Sequence, residues 1–416
     1  MKANILFTFP RFIALAFIIS APLSLLAEQH RKISAYNILP SILLDRKNNE
    51  PKINIDGKLD EPIWNTLQAH SQTVILQPET LAEPIYSTHT KFFYTNRGLY
   101  IGVFNEQPND TLIARLSSRD RFINRDSISI TIDPSGEGLY AYWFAINLGN
   151  SISDGTVLPE RQFSREWDGA WRGASSEVKG GWVAEYFLPW SMMPMPNINA
   201  DSRQIGFYVS RSVSHLGERW GWPALPESGS RFMSALQPLI IDNITPKKQF
   251  TFYPYAATQY NVLDTRKEYK TGFDIYWRPS SNMQLTATIN PDFGNVESDD
   301  VIVNLTSFET FFPEKRPFFL EGQEIFTTTP RARPKDRSTP TVLVNTRRIG
   351  SSPKSLGIDT LELSKLEKNQ PSELKSAVKI TGQQGNWRYG VLAAAEEDTK
   401  IEGEIDGSKV SLLQSG

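Results

Sequence analysis

Through most of the chain the hydrophobic pattern is that of a β protein. Ile128, Ile130 and Ile132 alternate with Ser127, Ser129 and Thr131, the period of a sheet with one wet face. After the turn Asp133-Pro134-Ser135-Gly136, Tyr140, Tyr142, Phe144, Ile146 and Leu148 alternate in turn. Residues 91–94 and 99–104 flank Asn96-Arg97-Gly98. Trp182, Ala184, Tyr186 and Leu188 follow Gly180-Gly181, and Ile205, Phe207, Val209 and Val213 make a last strand. Ahead of them, Asp60 is placed to cap a short helix with Pro62 in its first turn, and Trp64 and Leu67 are spaced to bury one face of it. Many short strands separated by turn signals predict a β-sandwich over residues 51–245.

After Asn243-Ile244-Thr245-Pro246 the texture changes. Residues 250–260 and 271–278 form aromatic strands. Met283, Leu285, Ala287 and Ile289 alternate with Gln284, Thr286, Thr288 and Asn290, and Trp387, Tyr389, Val391 and Ala393 alternate near the end. Strands of about ten residues with one apolar face suit either a transmembrane barrel or a second soluble sheet. Residues 327–340 and 351–370 read as loops.

Between these strands, residues 290–326 have neither period. They carry Phe293, Phe308, Phe311, Phe312, Phe318, Phe319 and Phe326 among acids, with Lys315, Arg316 and three prolines. Water would leave the rings exposed and lipid would reject the charges. One reading is an inward-facing part of a barrel, with Phe311, Phe312, Glu314, Lys315, Arg316, Phe318, Phe319 and Glu321 in its interior. The other is a long ordered loop on a soluble domain. In the first, Lys315 and Arg316 pair nearby carboxylates, and loss of the Glu314 charge is expected to leave assembly intact.

Composition narrows the chemistry. The chain of 416 residues is long enough for two domains, and its net charge of -2 suggests neither nucleic acid nor an acidic membrane surface as partner. Absence of cysteine excludes disulfides, Cys-type zinc sites and thiol nucleophiles. The four histidines lie far apart, without metal-ligand spacing, so no metal or cofactor is expected. Lys2 and Arg11 precede an apolar run over 12–26, which reads as an export signal ending at Ala27. Residues 28–50 read as a linker. No later segment has the length and apolarity of a transmembrane helix.

Sugar binding is the first candidate chemistry, because aromatic side chains stack on the apolar faces of sugar rings while polar groups read the hydroxyls. Trp143 and Trp171, with Asp126, are the candidate contacts, against the plainer reading that most tryptophans here are core. Hydrolysis of O-glycosyl bonds needs two carboxylates across a cleft. Asp292, Glu297, Glu309, Glu314, Glu321 and Glu324 crowd one segment densely enough to give such a pair by chance, so no catalytic residue is assigned. No Gly-x-Ser-x-Gly, phosphate loop or dinucleotide fingerprint is present.

The stretch NPDFGNVESDDVIVNLTSFETFFPEKRPFFLEG resembles the hallmark of an uncharacterised bacterial family, in which a domain like a family 9 carbohydrate-binding module precedes an outer-membrane β-barrel. Asn345-Thr346-Arg347-Arg348-Ile349-Gly350 and Ala377-Val378-Lys379-Ile380-Thr381-Gly382 look like later pieces of the same pattern. Ile55-Asp56-Gly57-Lys58-Leu59-Asp60-Glu61-Pro62-Ile63-Trp64, Gly98-Leu99-Tyr100-Ile101, the 126–133 strand, Gly181-Trp182-Val183-Ala184-Glu185 and Ile205-Gly206-Phe207 resemble the module itself, in its order. The resemblance implies an all-β protein: a signal peptide at 1–27, a linker at 28–50, a β-sandwich of the module type at 51–245, and the N-terminal part of an outer-membrane β-barrel at 246–416. It implies the cell outer membrane as location, the sandwich periplasmic, with a glycan ligand and outer-membrane lipid as partners. The module's sugar clamp is not reproduced: 122–125 read Phe-Ile-Asn-Arg, Ser129 stands where an acid contacts sugar, and 227–231 lack the second tryptophan. Too few strands follow to close the smallest barrel, so the chain is expected to be a fragment or to have a reading frame that ends early. Glycan binding or uptake leads the functions implied. A structural or channel-forming envelope protein without sugar binding, and a glycoside hydrolase, are the alternatives.

Overall fold

The computed structural model describes residues 39–292 with short interruptions, 314–326, 343–351, 372–384 and 387–398, and the backbone alone at 16–20, 361–362, 399–405 and 408–414. The fold is all-β. Two sheets pack face to face over residues 42–242, a third follows, and the strands Leu361–Glu362, Thr399–Ile405 and Ser408–Gln414 form a small fourth.

The larger sheet of the sandwich runs from Gln162–Ser164 through Ser151–Leu158, Ala141–Asn147 and Ser127–Asp133 to Ser202–Val213. That last strand then pairs with both Glu218–Trp222 and Gln237–Asp242. The smaller sheet is ordered Arg172–Val178, Gly181–Pro189, Gly98–Glu106 and Thr88–Tyr94. Ile128, Ile130, Ile132, Phe144, Ile146, Trp182, Ala184, Tyr186 and Phe207 fill the space between them, as their period-two spacing requires. Residues 42–46, read as linker, belong to the sandwich. Ile42–Leu43 pairs in parallel with Gln237–Asp242, and Asp45–Arg46 with Thr88–Tyr94.

The expected wet face of the larger sheet is only partly wet: Ser127 and Ser129 are half-buried and Thr131 is buried. Every residue of Ala141–Asn147 is buried, because the 223–236 connection folds back across that face. It packs Leu225, Phe232, Met233 and Leu236 on Trp143, Val157 and Tyr208.

The outer face of the smaller sheet is covered by the 53–67 segment, whose short helix Pro62–Asn65 buries Trp64. The Asp56-Gly57 turn approaches so closely that a Cβ on Gly57 would lie 2.6 Å from the Ser175 backbone. With a φ of +84° there, glycine is the residue that fits. Glu185 Oε2 accepts from the Asp56 and Gly57 N–H groups at 3.1 and 3.3 Å. This latch explains why the Ile-Asp-Gly motif and the acid of Gly-Trp-Val-Ala-Glu occur in one domain.

The third sheet is antiparallel, ordered Gln249–Asn261, Arg266–Ser280, Met283–Ile289, Leu374–Gln384 and Trp387–Glu396. Among the described residues it is open, and no closed barrel is formed. Within the apolar run read as an export signal, Ala16–Ser20 is described, its backbone paired with the outer edge of Trp387–Glu396.

The latch gives a pH dependence. Burial, with the charges of Glu61 and Asp56 adding to it, pushes the Glu185 carboxyl from its ordinary 4.5 up to about 8, against the hydrogen bonds of the turn. The folded state therefore holds this proton where the unfolded chain has lost it. Stability that is complete below the unfolded value declines as pH rises through about 8. Unfolding of the sandwich followed from pH 5 to pH 9 is expected to show this decline, on the order of a few kcal/mol at most. Glu185→Gln keeps an acceptor for both N–H groups and should flatten the profile.

Candidate functional site

The three sugar-contact candidates of the sandwich are all enclosed. Asp126 is 0% exposed, and its carboxylate accepts from Ile113 N and Ser214 N at 2.8 Å and from Gln107 Nε2 at 3.1 Å. It ties three segments together. Trp143, 5% exposed, lies beneath the 223–236 cover and donates to the Ser164 carbonyl at 3.0 Å. Trp171, 7% exposed, stacks on Tyr186 within the main core. None presents a ring face or carboxylate to solvent. At the clamp positions, Ile123 is exposed and the Ser129 hydroxyl points to the Ser210 carbonyl.

Two arrangements arise from residues too far apart in sequence to be linked by spacing. The carboxylates of Asp120, Asp154 and Asp168 come within 4.8 Å of one another, the one such group among the described residues that meets metal-ligand distances. Arg119 already holds them, at 2.5 Å from Asp154 and 2.7 Å from Asp168. Burial raises the Asp120 carboxyl to about 6, with the neighbouring acids contributing. The second is a line of hydrogen bonds, Ser71 Oγ to His89 Nδ1 at 2.8 Å and His89 Nε2 to Glu106 Oε1 at 2.9 Å. Its order is that of a hydrolase relay. The Glu106 side chain is 45% exposed, so water competes for the carboxylate in a way the buried acid of a working triad avoids. The line fastens the segment after Leu67 to the edge of the smaller sheet.

The third sheet has the opposite polarity to a soluble one. Its cross-strand pairing aligns Phe250, Trp277, Leu285, Ile380 and Val391 in one row. Phe252, Ile275, Ala287, Val378 and Ala393 form the next row on the same face. That face is open: Phe250 is 67% and Trp277 42% exposed. The other face carries Gln284, Thr286, Thr288, Lys379 and Thr381, all buried.

The 314–326 segment covers that polar face. Phe318 and Phe319, on the short helix Pro317–Leu320, join Ile325, Phe326, Ala377 and Leu392 in a separate apolar cluster. Lys379 Nζ donates to the Phe318 carbonyl at 2.5 Å and lies over the Phe318 ring. Glu314 receives Arg316 Nε at 2.8 Å and Nη2 at 2.7 Å, and the Thr346 hydroxyl at 2.7 Å. Arg316 also donates to the Thr346 and Ile349 carbonyls and stacks on Phe319. Glu321 takes the Arg278 guanidinium at 3.2 Å and the Gln284 amide. Lys315 is partly exposed, and its backbone N–H donates to Glu314. Phe311 and Phe312 lie outside the described residues. Asn345-Thr346-Arg347-Arg348-Ile349-Gly350 is thus the partner strip of Glu314-Lys315-Arg316, a relation that spacing did not reveal.

Where the sandwich meets the third sheet, a cleft of about 100 Å³ opens to solvent. Tyr140, Tyr142 and Trp167 line one side, and Arg278, Gln284 and Glu321 the other. Arg278 crosses it, donating to the Ser191 carbonyl at 2.5 Å. Arg388 lies over the Tyr140 ring at 5.5 Å.

Burial of the Glu314–Arg316 pair reverses the expectation that Glu314 is dispensable for assembly. Removing one partner leaves a buried charge uncompensated, at a cost of about 3–5 kcal/mol. Glu314→Gln is expected to detach the segment, seen as new proteolytic cleavage within 314–326. Lys315→Gln, which keeps its backbone contact, should leave the cleavage pattern unchanged.

Comparison with known proteins follows the division at the end of the sandwich. Residues 246–410 match a family described as Domain of unknown function (DUF5916). No curated protein matches the chain. Among solved structures, the chain is similar to a family 9 carbohydrate-binding module from Caldicellulosiruptor kristjanssonii in complex with cellotriose, at 13% identity and TM-score 0.35, covering 48% of this chain and 92% of that one. The same module in complex with glucose gives 12% identity and TM-score 0.35, with 48% and 94% covered. A candidate carbohydrate-binding protein from Bacteroides uniformis gives 11% and 0.39, with 49% and 98% covered. At these scores the likeness assigns no site on this chain, and about half of the chain lies outside it.

Proposed function

We propose that the chain is an exported envelope protein in which the third sheet is part of the wall of an outer-membrane β-barrel, and the sandwich a periplasmic glycan-binding partner of it. The observation that carries this reading is the inverted polarity of the third sheet. An apolar outer face with polar residues inward is how a barrel strand meets lipid and lumen. In water the same face forfeits roughly 1.5–3 kcal/mol for each large side chain that could be buried. A segment of mixed polarity docked on the inner face fits a lumen, where Arg278 and Arg316 keep carboxylate partners and Lys379 keeps the Phe318 carbonyl. The burial of Trp143, Trp171 and Asp126 supports a second reading, a structural or channel-forming protein whose sandwich does not bind sugar. No arrangement among the described residues favours glycoside hydrolysis over these.

These 416 residues carry no cysteine, so single cysteines introduced here report their own positions once any cysteine elsewhere in the complete protein is replaced by serine. With the complete protein in Gram-negative cells, Ile275→Cys and Val378→Cys are expected to resist a membrane-impermeant maleimide in the folded state and to react after denaturation. Leu216→Cys on the sandwich should react in lysed cells without denaturant. Rapid labelling of both outward positions, with the protein recovered in the soluble fraction, would overturn the membrane reading. A glycan array probed with the detergent-solubilised protein separates the glycan-binding form of the proposal from the structural one.

A further inference from the structure

We propose that an acidic saccharide, one carrying a uronate, binds in a groove on the outer face of the smaller sheet beside Lys58; the inference rests on the glycan-binding reading above. Cross-strand pairing arranges that face in rows. Phe93, Tyr100 and Phe187 form one row, Lys91, Gly102 and Glu185 the next, and His89, Phe104 and Val183 the third. The 53–67 segment covers the first two. Trp64 packs with the Phe93, Tyr100 and Phe187 rings, and a Cβ on Gly102 would lie 2.6 Å from the Leu59 side chain. The cover stops at the second row, where Glu185 holds the Asp56-Gly57 turn. The third row is left as the floor of a groove of about 600 Å³, open to solvent and lined at its side by Lys58, Leu59 and Asp60. That volume lies within the range of small-molecule sites.

The floor is aromatic and accessible. Phe104 is half-buried, so it keeps part of its ring at the surface, as Trp143 and Trp171 do not. The His89 ring lies at 12° to it, with centroids 6.0 Å apart. Ser71 and Glu106 engage both imidazole nitrogens. That ring is therefore fixed in place, and it acts as a wall and not as a donor. With Leu59 and Val178, the two rings offer an apolar surface for the C–H face of a pyranose.

Charge selects among sugars. Lys91 Nζ donates to the Trp64 carbonyl at 2.7 Å, which uses one of its three donors. Lys58 is exposed, and its ammonium has no hydrogen bond or ion pair among the described residues. Neither lysine meets a carboxylate there. Asp60, also exposed, lines the same groove and offers acceptors for hydroxyls. The Glu106 carboxylate is held by His89. Two ammonium groups against one open carboxylate leave the groove net positive beside its aromatic floor. A uronate answers both features. Its ring brings the apolar face, and its carboxylate takes a charge-assisted bond that a neutral sugar lacks.

The test uses the complete protein in detergent, titrated calorimetrically at low salt with trigalacturonate and with cellotriose. Trigalacturonate is expected to bind at least tenfold more tightly than cellotriose, and to weaken as salt is added. Lys58→Glu and Phe104→Leu are each expected to weaken it at least tenfold. The first alters an exposed side chain, and an unchanged unfolding midpoint shows that its fold is intact. Arg231→Glu, an equal change of charge in the connection across the other sheet, should leave binding within twofold. A wild type that binds both trisaccharides equally overturns the acidic class. Binding that survives either groove change overturns the location, as does a loss in Arg231→Glu equal to that in Lys58→Glu. No binding of trigalacturonate rejects the proposal. Neutral hits on the glycan array would then leave the glycan-binding reading standing, and an array without hits would remove that reading too.

Discussion

One guanidinium touches all three parts of this molecule. Arg278 donates to a backbone carbonyl of the sandwich at Ser191, to Gln284 of its own sheet, and to Glu321 of the segment docked on that sheet. An arginine suits this place because its planar fork keeps its charge and directs several donors at once. The side chain belongs to the inward, polar face of the third sheet. The cleft, the docked segment and the contact between sheet and sandwich therefore depend on that face being polar and covered.

A buried polar face demands partners. Lys379 would be costly to enclose alone, and it is enclosed because the Phe318 carbonyl accepts from it and the ring lies beside it. The helix carrying Phe318 is in turn placed by the buried Glu314–Arg316 pair and its hold on residues 346–349. The apolar rows on the opposite face have no such cover among the described residues. That asymmetry, polar groups enclosed and aromatic rings open, is the physical basis for reading the sheet as facing lipid.

The sandwich solves the reverse problem. Its aromatic residues are spent on packing. Trp171 stacks in the core, Trp143 lies under a returning connection, and Asp126 gathers three backbone or amide donors. A tryptophan's residue type states how much area it buries, not against what. Ligand platform and core filler are the same letter in the sequence, and burial by 223–236 distinguishes them.

The sequence by itself determined the strands with clear alternation, because period two is a local property that such a segment carries in its own side chains; Ser151–Leu158, Arg172–Val178 and Gln237–Asp242 were not legible in this way. The rows Met283, Leu285, Ala287 and Ile289 against Gln284, Thr286 and Thr288 were legible before any contact was known. Only the tertiary structure decided which face of the third sheet is enclosed, because alternation gives two faces and does not say which one meets protein. The meeting of Glu314 with Thr346, of Glu185 with the Asp56-Gly57 turn, and of Asp120, Asp154 and Asp168 around Arg119 was likewise decided in three dimensions. Each joins side chains from separate segments, and their geometry exists only once the sheets have set those segments side by side.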